Sequence, residues 1–438
     1  MKTLLFLLSA AGCTSYQCGT HCSPPQDCSR TIDLVDKPTW ISDHESKDTD
    51  NRTAIIPDRV TVDLDLPPIE RWVEVGKLYQ DKGYLLQQYF EDLLPDAAVQ
   101  LIAKVASEIV DYPGFASFSD EMKGYAKGLN IDLGYVVAAN LVYQLEDVGI
   151  ACDNWNNTGP SGQCDDDDWT PDGENLFWAQ SNHFKRTYID SDIKTGVCTS
   201  IVANEASDSK VIHGRNLDWN LEEAMRGLIL TVDFTRGGKL LYTGSTIVSF
   251  VGLLNAMKPG EDDGFSFSMD ARCQGGNILF NLLQALKNGA MTPCQHSRQV
   301  METSTSFADA VKGFEEGKLI DDGYFIVGGS KKDEGAIVTR TRNHHLNTRV
   351  IDASGEEEDG WYRLETNYDW WKGVPSADDR RTPGVAKMDG IGKGGMDEVA
   401  LFGVMKNWPT YNPHTDLTCI MVASDNTYDC VWWSDAVF

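Results

Sequence analysis

The first part of the chain follows the hydrophobic patterns of one strand and several helices. Valine or leucine alternates with polar residues over 59–66, as in a half-buried β-strand. Over residues 69–110 apolar residues recur at helical spacing and are interrupted near Pro95, which predicts two or three helices. Two further helices are predicted over 120–128 and 135–146.

Short strand patterns dominate from Cys198 onward, and Arg236-Gly237-Gly238 between two of them indicates a hairpin. The predicted strands are 198–203, 210–215, 228–234, 240–243, 265–269, 324–327, 336–339, 363–365 and, as the last, 417–423. The predicted helices are 277–286, 307–316 and 398–406. Because strands and helices come in blocks and not in βαβ alternation, the pattern favours an α+β sandwich.

Two polar stretches fall outside these patterns. Residues 13–57 are polar and broken, which predicts an N-terminal arm. Residues 152–196 contain the acidic run 165–168 and little apolar periodicity, so we interpret them as a long surface insertion. The acidic run lacks the alternating ligand spacing of a calcium loop.

The N-terminus resembles a secretory signal. Lys2 precedes a short apolar run and then small residues, which predicts a signal peptide over 1–15. A lipoprotein site at Cys13 is the weaker alternative. The run is too short to span a bilayer, and no later stretch is apolar enough, so the expected location is the lysosome or the extracellular space.

Cysteines and glycosylation triplets favour the same secretory route. The chain has 11 cysteines, an odd number, and Asn51 and Asn156 each begin an Asn-x-Thr sequon. In an oxidising compartment the disulfide candidates are Cys18, Cys22, Cys28, Cys152, Cys164 and Cys430.

The charge balance excludes some function classes. The net charge is −28, which argues against nucleic acid as a partner because phosphate binding needs clustered cations. It suits a protein of an acidic or extracellular compartment. No serine-hydrolase elbow or phosphate loop is present, and the eight histidines lack metal-ligand spacing, so we expect no metal or other cofactor. Gly390, Gly392 and Gly395 match a dinucleotide motif by letter only and predict a loop, since no apolar strand precedes them.

The most informative segment begins at Cys198, where a cysteine opens an apolar strand behind a polar stretch. His213-Gly214-Arg215-Asn216-Leu217-Asp218 follows, and its polar residues predict a turn that places Arg215 and Asp218 beside Cys198. From these residues alone, a buried or disulfide-bonded cysteine and a surface Arg–Asp pair are the favoured interpretation.

A set of ordered motifs changes that balance. The sequence resembles the acid ceramidase and N-acylethanolamine acid amidase family of N-terminal-nucleophile hydrolases over about residues 58–425, apart from the insertion. The matching stretches are Leu64-Asp65-Leu66-Pro67-Pro68 with Arg71-Trp72, Glu121-Met122-Lys123-Gly124, Cys198-Thr199-Ser200-Ile201-Val202-Ala203, His213-Gly214-Arg215-Asn216, Thr366-Asn367-Tyr368-Asp369, Trp371-Lys372 and Asp378-Asp379-Arg380-Arg381-Thr382.

The resemblance implies an αββα four-layer sandwich with an additional N-terminal helical region. It also implies a precursor that cleaves itself between Val197 and Cys198. An α chain, residues 16–197, would then remain with a catalytic β chain, residues 198–438.

The resemblance further implies the roles of single residues. Cys198 is the nucleophile, Arg215 and Asp218 flank it, Asn367 stabilises the oxyanion and Arg380 lines the cleft. These roles agree with elementary chemistry, since a nearby cation favours thiolate, a new α-amine can accept the thiol proton, and an amide NH₂ can donate to an oxyanion.

Two departures from the family stand out. Residues 152–196 intervene before the nucleophile strand, and Ala271 replaces a family glutamate whose task is lost or passes to Asp270. The implied substrate is a fatty-acyl amide lipid, either ceramide or an N-acylethanolamine, with contact to a membrane surface or an activator protein left open. Two alternatives remain: a papain-like protease that pairs Cys198 with His213, and a secreted lipid-binding protein with an inert cysteine.

Overall fold

The computed structural model describes residues 52–93, 118–146, 197–272, 289–352, 354, 360–375 and 378–435. The helices are α1 (Pro68–Arg71), α2 (Val73–Leu78), α3 (Gly83–Leu93), α4 (Ser119–Leu129), α5 (Leu133–Glu146), α6 (Glu223–Arg226), α7 (Pro293–Thr303), α8 (Phe307–Glu315), α9 (Arg381–Ile391) and α10 (Glu398–Met405). The strands are β1 (Thr53–Ile55), β2 (Asp58–Asp63), β3 (Val197–Asn204), β4 (Val211–Asp218), β5 (Ile229–Arg236), β6 (Lys239–Ile247), β7 (Asn255–Lys258), β8 (Phe265–Ala271), β9 (Gly323–Gly329), β10 (Gly335–Arg340), β11 (His345–Val350), β12 (Tyr362–Glu365), β13 (Leu417–Val422) and β14 (Thr427–Ser434).

Within the described residues the strands form two sheets. The first has the order β1-β14-β13-β4-β3-β12, and the second has the order β11-β10-β9-β8-β7-β6-β5-β2. Most neighbours are antiparallel, whereas β2 runs parallel to β5. Gly237 and Gly238 adopt positive φ angles of 59° and 67° at the hairpin between β5 and β6, a conformation that costs glycine little. The predicted hairpin is confirmed.

The two sheets pack face to face between layers of helices. β3 packs on β8 and β9, while α9 and α10 cover the other face of the first sheet and α7 and α8 that of the second. The strands alternate accordingly: Val202 packs between the sheets, and Ile201 and Ala203 pack against α9 and α10. This arrangement is the αββα sandwich, and the α+β prediction is confirmed.

The N-terminal helices are anchored to α7, which covers the second sheet, by a buried ion pair. Glu121 on α4 is 1% exposed, and it accepts hydrogen bonds from Arg298 Nη2 on α7 at 2.9 Å and from Trp72 Nε1 at 2.6 Å. Gly124 allows α4 to approach α1, since a Cβ there would lie 2.1 Å from the carbonyl oxygen of Ile69. The motif Glu121-Met122-Lys123-Gly124 therefore serves the packing of this helical region.

Most predicted elements with described coordinates are confirmed, including β2, α4, α5, β3 and β4. Residues 417–423 are not the last strand, because β14 follows and pairs with both β13 and β1. The hydrophobic pattern does not reveal α7, because its buried face carries Gln295, His296 and Arg298. The predicted signal peptide, insertion and helix 277–286 lie outside the described residues, as does the predicted arm up to residue 51. The last residues of the arm are described, and they include β1, so this part is a strand and not broken polar chain.

Candidate active site

Cys198 lies near the start of β3 and is fully buried. Its Cα pairs with Leu217 on β4, and the next inward position, Ser200, pairs with Arg215. Because side chains alternate along a strand, Cys198, Ser200 and Arg215 share the face that packs on the second sheet. The predicted pairing of the two segments is confirmed.

Arg215 and Asp218 lie within β4 and not around a turn, so that part of the prediction is wrong. The segment looks like a turn because it is polar, but its side chains find partners inside the protein. Arg215 is 0% exposed and its Nη1 lies 3.4 Å from Oδ1 of Asp270. Asp218 lies on the opposite face of the sheet, where its Oδ2 accepts from Asn412 Nδ2 at 2.9 Å.

Asp218 stands beside the predicted cleavage point, since its Cα pairs with Val197. Burial raises the pKa of Asp218 to about 6, against the opposing effects of Arg380, Arg215 and the hydrogen bonds from Thr415 and Asn412. Its Oδ2 lies 3.9 Å from Arg380 Nη1. The Cys198 peptide therefore runs between Arg215 on one face of the sheet and Asp218 with Arg380 on the other.

Asn367 follows β12, the strand that pairs with β3, and holds the backbone of Cys198. Its Oδ1 accepts from the backbone N–H of Cys198 at 2.7 Å and from Arg380 Nη2 at 2.7 Å. Its Nδ2 donates to the carbonyl oxygen of Ala271 at 2.7 Å. The amide oxygen thus faces the nucleophile's nitrogen, and the oxyanion role of Nδ2 stays a prediction.

Arg380 is 2% exposed and holds the carbonyl group of the same residue. Its Nη1 donates to the carbonyl oxygen of Cys198, and Nε and Nη2 each lie 2.8 Å from a carboxylate oxygen of Asp378. This bidentate pair orients the planar guanidinium. Asn367 therefore holds the backbone N–H of Cys198, and Arg380 holds its backbone C=O.

Two further buried carboxyl groups lie beside the nucleophile strand. Burial raises the pKa of Asp270 to about 7 and that of Glu365 to about 8, although Arg215 and Arg381 respectively oppose the rise. The Cα of Glu365 pairs with Ser200. Sequence reasoning missed Glu365, although it precedes Asn367 by only two residues. Ala271 packs in the apolar core, and Asp270 is the carboxyl group that contacts Arg215.

The papain-like pairing of Cys198 with His213 is wrong. The Cα of His213 pairs with Val202, four residues along β3 from Cys198, or about 13 Å. Its two ring nitrogens lie 2.9 Å from the hydroxyls of Ser266 and Ser268. Burial lowers the pKa of His213 to about 3, with a contribution from Arg215, so the ring is neutral and engaged elsewhere.

An apolar pocket opens where β4 ends. Trp219, which directly follows Asp218, forms part of its wall. Helices α3 and α5 close the other side, and the wall includes Leu86, Phe90, Ala139, Met225 and Ile247. The pocket therefore begins one residue beyond Asp218, the strand neighbour of Val197, and its wall is apolar.

Other expectations have mixed outcomes. Among the described residues, no group of His, Cys, Asp and Glu side chains could hold a metal ion, and no helix is long and apolar enough to cross a membrane.

Gly392 terminates α9 with a φ of 68°, so the glycine motif is a helix end and not the predicted loop. Cys430 forms a disulfide with Cys419. Asn51, Asn156 and the other cysteines named as disulfide candidates lie outside the described residues.

Comparisons with known proteins show the family to which the chain is related. Residues 198–414 match the family of linear amide C–N hydrolases of the choloylglycine hydrolase type, and residues 56–115 match the beta subunit of N-acylethanolamine-hydrolyzing acid amidase. The chain is 28% identical over 372 residues to the N-acylethanolamine-hydrolyzing acid amidase of Mus musculus, covering 84% of this chain and 86% of that protein. It is 26% identical over 406 residues to the acid ceramidase of Homo sapiens, covering 85% and 87%.

A solved structure of the Caenorhabditis elegans N-acylethanolamine-hydrolyzing acid amidase ortholog is also similar, at 32% identity and a TM-score of 0.46. It covers 52% of this chain and 96% of that one. The two family matches and the long relatives extend over both sides of the predicted cleavage point. The chain is therefore an amidohydrolase and belongs to the acid ceramidase and N-acylethanolamine acid amidase family of N-terminal-nucleophile cysteine hydrolases.

Proposed function

We propose that this protein cleaves itself before Cys198 and then uses the new N-terminal cysteine to hydrolyse the amide bond of an N-acyl lipid. The single observation that carries the proposal is the hydrogen bond from the Cys198 nitrogen to Oδ1 of Asn367. That nitrogen is the atom that becomes the α-amine. It is already held beside the thiol in a buried site that a cation, Arg215, adjoins.

Self-cleavage needs only the groups of this site and water. The Cys198 thiol attacks the Val197 carbonyl carbon, the acyl group moves from nitrogen to sulfur, and the nitrogen becomes an amine. Water then hydrolyses the thioester, which leaves a carboxylate on Val197 and restores the thiol. Asp218, whose Cα pairs with Val197, is the nearest strand neighbour that can take up or return a proton.

Substrate hydrolysis follows the same path, with the lipid amide in the place of the Val197–Cys198 bond. The α-amine of Cys198 takes the thiol proton, the thiolate attacks the lipid carbonyl, and the α-ammonium returns the proton to the leaving amine. Water then releases the fatty acid from the thioester. Arg215 favours the thiolate, and Asn367 with Arg380 orients the α-amine. The two hydrogens on Asn367 Nδ2 make it the candidate oxyanion donor.

The wall of the pocket beside Trp219 is apolar, so we propose that the end of a fatty-acyl chain leaves water by packing against it. Several large apolar side chains at the start of the helical region are exposed: Leu66, Ile69, Leu78 and Tyr84. We propose that this surface meets a membrane or an activator that presents the lipid. The relatives' names make ceramide and N-acylethanolamines the candidate substrates and favour an acidic compartment. With the predicted signal peptide, we propose the lysosome as that compartment.

β1 and β2 explain how two cleaved chains stay together. Both strands precede Cys198, yet β1 pairs with β14 and β2 pairs with β5. The N-terminal chain thus contributes an edge strand to each sheet.

The test is fatty-acid release from a ceramide and from an N-acylethanolamine by wild type, Cys198→Ala and Cys294→Ala, with hydrolysis of a peptide measured alongside. Cys294 is a second fully buried cysteine in the same half of the chain. Wild type and Cys294→Ala should hydrolyse at least one lipid. The rate of lipid hydrolysis by Cys198→Ala should be lower by more than about 10³-fold. Lipid retention without turnover by wild type would instead support a binding protein, and peptide hydrolysis alone would refute the lipid amidase.

A further inference from the structure

A continuous chain of buried hydrogen bonds connects the two sheets and ends at the Arg215 contact. His213 lies 2.9 Å from both Ser266 Oγ and Ser268 Oγ, and Ser268 Oγ donates to Ser200 Oγ at 2.8 Å. Ser200 Oγ then donates to Asp270 Oδ1 at 2.8 Å. The members, in order, are Ser266, His213, Ser268, Ser200, Asp270 and Arg215, and each is at most 2% exposed.

The chain has one direction, because each hydroxyl carries a single hydrogen. Ser200 gives its hydrogen to Asp270, and Ser268 gives its hydrogen to Ser200. The contact between His213 Nε2 and Ser268 therefore needs a hydrogen on Nε2. Since the ring is neutral, Nδ1 carries no hydrogen and accepts from Ser266, whose hydroxyl also lies 3.3 Å from the Gly328 carbonyl oxygen and shares its hydrogen between the two acceptors. From Nε2 of His213 onward, every donor in the chain points towards Oδ1 of Asp270.

We propose that His213 is a positioning residue: through Ser268 and Ser200 it keeps Oδ1 of Asp270 free of a proton, and so holds Arg215 beside Cys198. The inference rests on the proposed function. A proton that Asp270 binds must go to Oδ2, which has no hydrogen-bond partner among the described residues. Oδ1 then accepts from Ser200 and Arg215 in both protonation states. Without the chain, an O–H on Oδ1 would face the Arg215 guanidinium and displace it.

The proposal matters most at acidic pH, where Asp270 is protonated. Burial raises the pKa of Asp270 to about 7, while Arg215 and Arg380 lower it and Asp218 raises it. Asp270 in turn raises the pKa of Glu365, and Tyr324 is its partner on β9. Above about pH 7 both oxygens of Asp270 are ionised acceptors, and the direction of the chain no longer decides where Arg215 lies.

The test compares turnover of a fluorogenic N-acyl amide at about pH 5 and about pH 8. The variants are Ser268→Ala, His213→Leu and His213→Gln, the last of which keeps a donor near the Nε2 position. Ser297→Ala is the matched control, because Ser297 is equally buried but donates to the Pro293 carbonyl within α7.

At about pH 5, kcat of Ser268→Ala and His213→Leu should fall about 5- to 10-fold relative to wild type, the effect of one net hydrogen bond. At about pH 8, kcat of both variants should lie within about 2-fold of the wild-type value. His213→Gln should recover most of the kcat that His213→Leu loses at about pH 5. Ser297→Ala should match wild type at both pH values. If Ser268→Ala does not fold, the comparison of His213→Leu with His213→Gln decides in the same way.

If the ratio of variant to wild-type kcat is the same at both pH values, the inference is overturned, since a merely structural role has no reason to depend on the charge of Asp270. Loss of the Gln rescue would also overturn it. These results leave the proposed function intact as long as wild type is active and Cys198→Ala is not. An inactive wild type would overturn both.

Discussion

The backbone nitrogen of Cys198 donates to Oδ1 of Asn367 across 2.7 Å, although 169 positions separate the two residues in the chain. The contact exists because β12 pairs with β3 and ends at Glu365, two residues before Asn367. The same amide donates through Nδ2 to the Ala271 carbonyl, so its orientation is fixed from two sides. Asn367 thus combines an acceptor for the nucleophile's nitrogen with a donor group.

These two abilities can be separated by substitution at Asn367. Asn367→Ala removes both, and turnover should fall about 10²- to 10³-fold, the usual effect of one oxyanion donor. Asn367→Asp keeps the acceptor, so it should still cleave before Cys198 but hydrolyse lipid as poorly as Asn367→Ala. Reducing gels and single-turnover assays measure the two steps. Near-normal hydrolysis by a processed Asn367→Asp protein would remove Nδ2 from the mechanism.

Arg215→Lys should lower kcat by at least about 10-fold although the charge is retained. A lysine lacks the planar fork of donors and cannot reach Asp270 while adjoining Cys198 in the same way. Arg340→Lys is the control, because Arg340 is 1% exposed but donates to the carbonyls of Phe314, Glu316 and Gly317 away from the site.

The control should lose stability in thermal unfolding and keep its kcat. Equal kcat losses in the two variants would mean that Arg215 acts only through packing.

Glu365 should make the fold more stable at acidic pH. Burial raises its pKa from 4.5 to about 8, so the folded state holds the proton to a higher pH than the unfolded chain does. The contribution of Glu365 to the free energy of unfolding is full below about pH 4.5 and is lost as the pH rises towards about 8. Glu365→Gln resembles the neutral acid and lacks this dependence.

Denaturant unfolding of the uncut Cys198→Ala chain, with and without Glu365→Gln, measures the effect. Relative to the chain with Glu365→Gln, the unfolding free energy of the chain with Glu365 should fall by about 1.4 kcal/mol per pH unit between about pH 5 and pH 7.5. Glu74→Gln, at a side chain that is 80% exposed, is the control. A difference that is constant with pH would contradict the buried, protonated state of Glu365.

Ala139→Leu should shorten the acyl chain that the protein accepts. Ala139 is 5% exposed and lines the pocket beside Trp219, so a larger side chain there fills space that the proposed substrate needs. We expect kcat/KM to fall about 10-fold or more for a long acyl amide and less for a short one. A uniform loss at all chain lengths would show that the pocket does not hold the acyl chain.

Local patterns in the sequence predict much of this fold, and their failures have physical causes. The alternation in β2 is visible because one face of that strand meets the apolar core, whereas β3 and β10 are recognisable as short apolar runs because both of their faces are buried. The pattern hides α7, whose buried face holds Arg298, because that arginine is neutralised by Glu121, 177 positions away. Long-range pairing of charges is not encoded in a local window.

The site shows the same division. Cys198, Arg215, Asp218, Asn367 and Arg380 come together as the resemblance implies. The buried state of Glu365 and the chain from His213 to Asp270 depend on how two sheets stack, which the sequence does not reveal. The polar segment at β4 indicates a turn only as long as its interior partners on β8 and near α9 are unknown.

The central claim, a nucleophile made by self-cleavage, is tested most directly by sequencing the N-termini of purified wild type and Cys198→Ala on reducing gels. Wild type should give a C-terminal chain that begins Cys198-Thr199-Ser200, and Cys198→Ala should remain one uncut, inactive chain, because cleavage and catalysis use the same sulfur. A Cys198→Ala chain still cut directly after Val197 would assign the cleavage to another protease. An uncut wild type with full amidase activity would contradict the account.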